Sequence, residues 1–210
     1  MRNSLGFGAA GIAVILLVAL FAPRLYVYLA ADILIWGLCA VSLNLLIGYT
    51  GLVSFGHAAY FGIGAYVCGL LMKQAGLGFA AGMAIGTLAA ALAAVAVGVF
   101  CVRLNAVYFS MLTLAFGQLF WAVVFRWNEV TGGDQGVTGL PQPDFSWLKM
   151  IPGLGGLDQQ QSFLVVVGSV VVIVLILLHR LVQSPFGEAL AMIRQNAQRA
   201  EFLAVPVRPI

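Results

Sequence analysis

Charge is what this chain has least of. Asp, Glu, Lys and Arg make up 8% of its 210 residues, where a soluble domain carries about 25%. So few charges cannot cover a water-facing surface, and a 62% hydrophobic composition with mean hydropathy +1.05 places most of the chain in a lipid bilayer. The net charge of +3 is small and scattered, which excludes a nucleic-acid partner. Cysteine is scarce as well: Cys39, Cys68 and Cys101 lie far apart in apolar stretches, match no metal or disulfide pattern, and read as small packing residues. No Gly-rich loop ends in Lys-Ser/Thr, so the chain hydrolyses no ATP of its own. His57 and His179 are far apart with no ligand spacing around them. No enzyme constellation is visible, and no cofactor is expected in this chain.

What is present is apolar length. A span needs about 20 largely apolar residues to cross roughly 30 Å of hydrocarbon. Six stretches qualify, near 5–22, 26–47, 55–72, 79–101, 105–125 and 162–183. The first resembles a secretory signal in having Arg2 before an apolar run, but it is long for a signal core and Pro23-Arg24 is a poor cleavage site. The sixth is rich in β-branched residues, yet its unbroken length argues helix over strand. The fourth contains Gly82-xxx-Gly86. Either these glycines let two helices approach closely, or the spacing is incidental in an Ala/Gly-rich span. The expected fold is an all-α polytopic transmembrane helix bundle, residues 1–183, with a polar loop at 126–161 that holds four acids and two bases.

One apolar stretch is broken. From Leu43 to Lys73 the sequence reads LNLLIGYTGLVSFGHAAYFGIGAYVCGLLMK, with glycines and polar groups among residues otherwise fit for lipid. Backbone that leaves the helix at membrane depth is tolerated only where protein or a water-filled cavity covers it. The run therefore suits the lining of a path. Asn44, Thr50, Ser54 and His57 are its polar candidates, and Thr113 and Gln118 join them from the fifth span. Polar groups in spans also join helices, at about 0.6 kcal/mol each, and both readings stand.

Residues 184–210 form no span. Ser184-Pro185 ends the sixth, because the residue before proline is pushed out of helical geometry, and the pair suits the start of a new helix with Ser184 as N-cap. Glu188 falls near the positive end of that helix dipole. Arg194, Arg199 and Arg208 place the segment in the cytoplasm by the positive-inside rule. Counting back through the spans puts 126–161 outside, Lys73 outside, Arg103 inside and the N-terminus in the cytoplasm. The segment's apolar face (Ala189, Ile193, Ala197, Ala200, Ala204) is thin and alanine-rich, unsuited to anchoring in headgroups. Docking into a protein groove and a plain juxtamembrane helix both fit it.

Three stretches in order along nearly the whole chain, LNLLIGYTGLVSFGHAAYFGIGAY, AVYFSMLTLAFGQLFWAV with VTGGDQGVTGLP, and SPFGEALAMIRQNAQRAEFLAV, resemble the membrane permease of bacterial branched-chain amino-acid ABC importers. The resemblance implies a type II importer permease in the inner membrane. Its partners would be a second, related permease subunit, two cytoplasmic ATPase subunits that carry the ATP, and a periplasmic substrate-binding protein. It also implies that 184–204 is the cytoplasmic coupling loop, through Gly187, Glu188, Ala189, Ile193, Arg194, Asn196 and Ala200. Ala204 stands where such permeases commonly have glycine, and Pro206 follows it. Family members continue with further spans where this chain stops at Ile210, so a truncated permease is expected, and with it the alternative of a fragment that does not transport. Asp32, the sole acid inside an expected span, supports a rival reading as the ion site of a secondary transporter. It lies near the end of its helix, two turns from Arg24, which suits an interfacial role equally, and no second intramembrane acid accompanies it.

Overall fold

The computed structural model describes residues 2–101, 106–145, 148 and 156–195. Among them the regular elements are helical: α1 (Arg2–Phe21), α2 (Arg24–Leu45), α3 (His57–Gln74), α4 (Phe79–Cys101), α5 (Ala106–Arg126), α6 (Asn128–Thr131), α7 (Gln159–Val182) and α8 (Pro185–Gln195). A π-helical turn, Leu46–Thr50, continues α2, and a 3-10 turn, Gly133–Gln135, follows α6. This is the all-α polytopic bundle that composition demands. Among the described residues four helical stretches are long and apolar enough to cross a membrane: Arg24–Thr50, Phe79–Cys101, Ala106–Arg126 and Gln159–Val182. Two more long helices complete the bundle. α1 contributes the shorter apolar stretch Gly11–Phe21, and α3 carries polar His57, Lys73 and Gln74 at its ends. Large apolar side chains stand uncovered by the chain, Ile33 at 70%, Leu92 at 71% and Phe21 at 81% exposure. Water would penalise such a surface; hydrocarbon solvates it.

The chain divides into two compact units, residues 1–50 with 145–210, and residues 51–144. In the first, α7 is the central helix and packs on α1 and α2. Its buried positions Leu164, Val165, Gly168, Val171 and Val172 recur at helical spacing on one face. A Cβ at Gly168 would sit 2.7 Å from Ile15, and one at Gly11 3.4 Å from Val172, so α1 and α7 cross where side chains vanish. Pro23, with φ −56° and ψ 152°, separates α1 from α2 and accepts the first amides of α2, from Tyr26 (2.9 Å) and Val27 (3.2 Å).

Asp158 and Gln161 form a capping box at the start of α7, the Asp158 amide donating to Gln161 Oε1 at 2.8 Å. Asp158 also pairs with Arg24 at 2.8 Å, side chains 56% and 81% exposed. An ion pair so open to solvent is worth at most about 1 kcal/mol. Asp158→Asn, which keeps a capping oxygen and loses the charge, is therefore expected to shift the thermal midpoint of the detergent-purified protein little. Asp158→Ala removes the cap too and is expected to cost about 1 kcal/mol more.

In the second unit, α3 and α4 form a closely packed hairpin. Gly76, at φ 62°, ends α3 in the left-handed conformation that glycine favours, and the amides of Ala75 and Leu77 return to the Leu71 carbonyl (3.1 and 3.3 Å). A Cβ at Gly86 would lie 2.5 Å from the Gly64 carbonyl oxygen, and one at Gly82 3.2 Å from Cys68 Sγ. The Gly82-xxx-Gly86 spacing is therefore a helix contact. Lys73 Nζ donates to the Thr138 carbonyl at 2.8 Å, so the end of α3 and the loop after α5 meet at one end of this unit, as alternation of the helices requires.

Candidate functional site

The broken run is resolved residue by residue. α2 widens into the π-helical turn at Leu46–Thr50, a form that recurs at functional sites because one extra residue per turn weakens the ladder. Thr50 reinforces it by donating its hydroxyl to the Leu46 carbonyl at 2.6 Å. Gly51 then turns left-handed, φ 74°, and helix resumes only at His57. Asn44 and Thr50 belong to the first unit; Ser54, His57, Thr113 and Gln118 belong to the second.

Within the second unit the unwound stretch is held against α5. The Phe55 amide donates to Thr113 Oγ1 at 3.2 Å, and that hydroxyl donates in turn to the Ser110 carbonyl at 2.9 Å. Thr113 is 2% exposed, and Ser54 is buried as well. Gly56 completes the seat: a Cβ there would lie 2.5 Å from the Thr113 carbonyl oxygen, and one at Gly117 would lie 3.4 Å from Gly56 Cα. Glycine on both sides lets coil and helix meet backbone to backbone. His57 is half-buried and Gln118 exposed.

Beside this seat lies a cavity of about 680 Å³ lined from α3, α5 and the 3-10 turn, a size typical of small-molecule sites. Aromatic Phe55, Tyr66, Trp121 and Phe125 line it together with Gly62 and the polar Gln118 and Asp134. Trp121 and Phe125 stack, centroids 5.1 Å apart and planes 19° apart. Asp134 is presented by a tightly wound turn: Gly132, Gly133 and Gly136 have φ of 76°, 54° and 66°, and Thr131 Oγ1 donates to the carbonyls of Val124 (2.6 Å) and Trp127 (2.8 Å). Sequence reasoning passed over Asp134, Tyr66 and Trp121. The dense glycines of TGGDQG were the available signal, since they mark a constrained backbone as well as a polar loop.

α8 belongs to the first unit. Ser184 precedes it as expected, its hydroxyl donating back to the Leu181 carbonyl at 2.6 Å, while the Glu188 amide takes the Ser184 carbonyl at 3.2 Å. Gly187 is buried, and a Cβ there would lie 2.2 Å from the Val182 carbonyl oxygen and 2.8 Å from that of Leu181. Only glycine permits so close a turn from α7 into α8. Ala189 and Ile193 are half-buried, and Glu188 and Arg194 exposed. α8 packs on the π-helical turn, and the Arg194 guanidinium donates to the Gly48 carbonyl. Asn196 and Ala200, also expected in the coupling segment, lie outside the described residues. Asp32 is half-buried in α2 and His179 exposed at the end of α7. Among the described residues no group of three or more His, Cys, Asp or Glu could hold a metal ion.

Long apolar helices, a glycine-broken helix and a short polar-faced helix folded back beneath it define a polytopic membrane protein. The chain belongs to the family of branched-chain amino acid transport system permease components, whose model matches residues 25–210. It is 28% identical to the high-affinity branched-chain amino acid transport system permease protein LivM of Escherichia coli K12, across 84% of this chain and 45% of that protein. It is likewise 28% identical to LivM of Salmonella typhimurium LT2, across 80% and 43%. The chain spans about half the length of these curated relatives. No solved structure matches it.

Proposed function

We propose that this chain is a permease subunit of an ATP-driven importer in the bacterial inner membrane, with its N-terminus in the cytoplasm, forming part of the translocation path for branched-chain or related amino acids. Family membership across residues 25–210 is the observation that carries this reading. A second permease subunit would complete the path, a periplasmic binding protein would deliver substrate, and two ATPase subunits would dock on 184–204 and supply the ATP hydrolysis that this non-enzymatic subunit lacks. An amino acid is a zwitterion with, here, an apolar side chain, so its path should be weakly polar: tight ion pairing would trap it. Asn44, Thr50, Ser54 and Gln118 supply neutral groups of that kind, His57 is a further polar candidate, and Thr113 shapes the path by seating the unwound stretch on α5. The aromatic cavity beside Gln118 suits the apolar side chain.

Uptake of labelled leucine by cells that lack their own branched-chain import and express this chain with its partner subunits tests the reading. Gln118→Leu, which removes a polar group from the cavity wall and keeps the bulk, is expected to lower uptake about tenfold with assembly unchanged, the effect of one lost hydrogen bond to a charged substrate at about 1.5 kcal/mol. Uptake that persists without ATP and collapses with the ion gradient would instead favour ion coupling through Asp32.

A further inference from the structure

We infer that Arg194 is a positioning residue that ties α8 to the π-helical end of α2, so that movement of α8 is passed directly to the unwound part of the path. This rests on the reading of α8 as the ATPase-docking helix, and it separates Arg194 from Glu188 within that helix: Glu188 is free to face a partner, while Arg194 reaches back into the permease. Three observations converge, two of them within the first unit. The Arg194 guanidinium donates to the Gly48 carbonyl. α8 packs along the same turn, Leu46–Thr50. Residues 51–56, which continue the chain beyond that turn, are not helical.

The last carbonyls of a helix lack intrahelical donors, and the negative end of the helix dipole lies there. A guanidinium answers both, with several N–H donors in a rigid fork and a charge that persists at any physiological pH. A Cβ at Gly48 would lie 3.3 Å from Asn44 Oδ1, so this turn is closely lined by the side chain one turn before it. Gly187 supplies the second half of the device. Its contact with the Leu181 and Val182 carbonyls fixes the start of α8 to the end of α7, and Arg194, two turns on, fixes the far end of α8 to α2. α8 thus bridges two helices. A push on it bears on α2 at the residue where the helix gives way, beside Thr50 and the left-handed Gly51.

The test uses the full complex carrying Arg194→Met, which keeps length and removes donors and charge, and Arg194→Lys, which keeps a cationic donor. With Arg194→Met, ATPase subunits are expected to copurify, while amino acid imported per ATP hydrolysed falls about tenfold, a coupling loss of typical size. Amide hydrogen exchange at 49–54 should rise, with exchange within 186–193 unchanged, and Arg194→Lys should restore most of the coupling. Normal import per ATP in Arg194→Met overturns the inference. So does loss of ATPase copurification, which would make Arg194 a docking contact. If the methionine variant does not accumulate, the lysine variant decides: import per ATP as low as one tenth, with its donor still in place, overturns the inference. A native complex that binds no ATPase subunit overturns the functional reading itself and is seen in the first control.

Discussion

Gly56→Ala is expected to abolish the proposed import while the helices themselves remain. The added Cβ would lie 2.5 Å from the Thr113 carbonyl oxygen, 3.2 Å from its carbon and 3.4 Å from Thr113 Cβ. Two of these three are backbone atoms of α5, which cannot rotate away as a flexible side chain would. Relief requires the unwound stretch to lift from α5, and the Phe55–Thr113 hydrogen bond goes with it. Overpacking of this kind costs about 3 kcal/mol. At roughly 1.4 kcal/mol per factor of ten, such a cost depopulates the seated conformation about a hundredfold. Leucine uptake by the assembled transporter, with helix content followed by circular dichroism, checks it. Gly37→Ala and Gly98→Ala are the controls: a Cβ at either meets nothing within 4 Å, and alanine there should be neutral or stabilising by up to about 1 kcal/mol. Equal loss of uptake in the controls and in Gly56→Ala would refute the packing argument.

On the proposal that ATPase subunits dock on α8, Gly187→Ala is expected to sever them from the chain. Its Cβ would fall 2.2 Å from the Val182 carbonyl oxygen and 2.6 Å from the carbon, so α8 could not leave α7 at its present angle. The cost is again about 3 kcal/mol, but it lands on one short helix. The bundle should keep its thermal midpoint while copurified ATPase falls at least about tenfold. Arg194→Met is expected to do the opposite, keeping the partner and losing the coupling. Undiminished ATPase copurification with Gly187→Ala would show that α8 does not need its present setting to dock.

Helix content and helix limits were legible because they follow from local properties. Apolar length gives the long helices, and punctuation gives their ends. Pro23 separates α1 from α2, Gly76 closes α3, and Ser184-Pro185 opens α8. The sixth long helix begins at Gln159, three residues before the apolar run, because the Asp158–Gln161 capping box nucleates it in polar sequence. The break after Thr50 was visible in its glycines, but the π-helical widening before it was not, since nothing in LIGYT distinguishes one extra residue per turn. Candidate residues divide the same way. Polarity in an apolar run singles out Thr113 and Gln118, yet cannot say that one hydroxyl is fully engaged at 2% exposure while the other side chain opens onto a cavity.

By itself, then, the sequence determined the class of the protein, its membrane setting and the place where one helix must break. Those depend on composition and on neighbours within a turn or two. Only the tertiary structure decided which glycines are contacts, and it separates Gly56 from Gly37 and Gly98, which no spacing motif distinguishes. It also set Asp134 at the aromatic cavity and brought Arg194 to Gly48, 146 residues away in the chain. Contacts at such separation arise from how helices pack, which no local pattern of residues encodes.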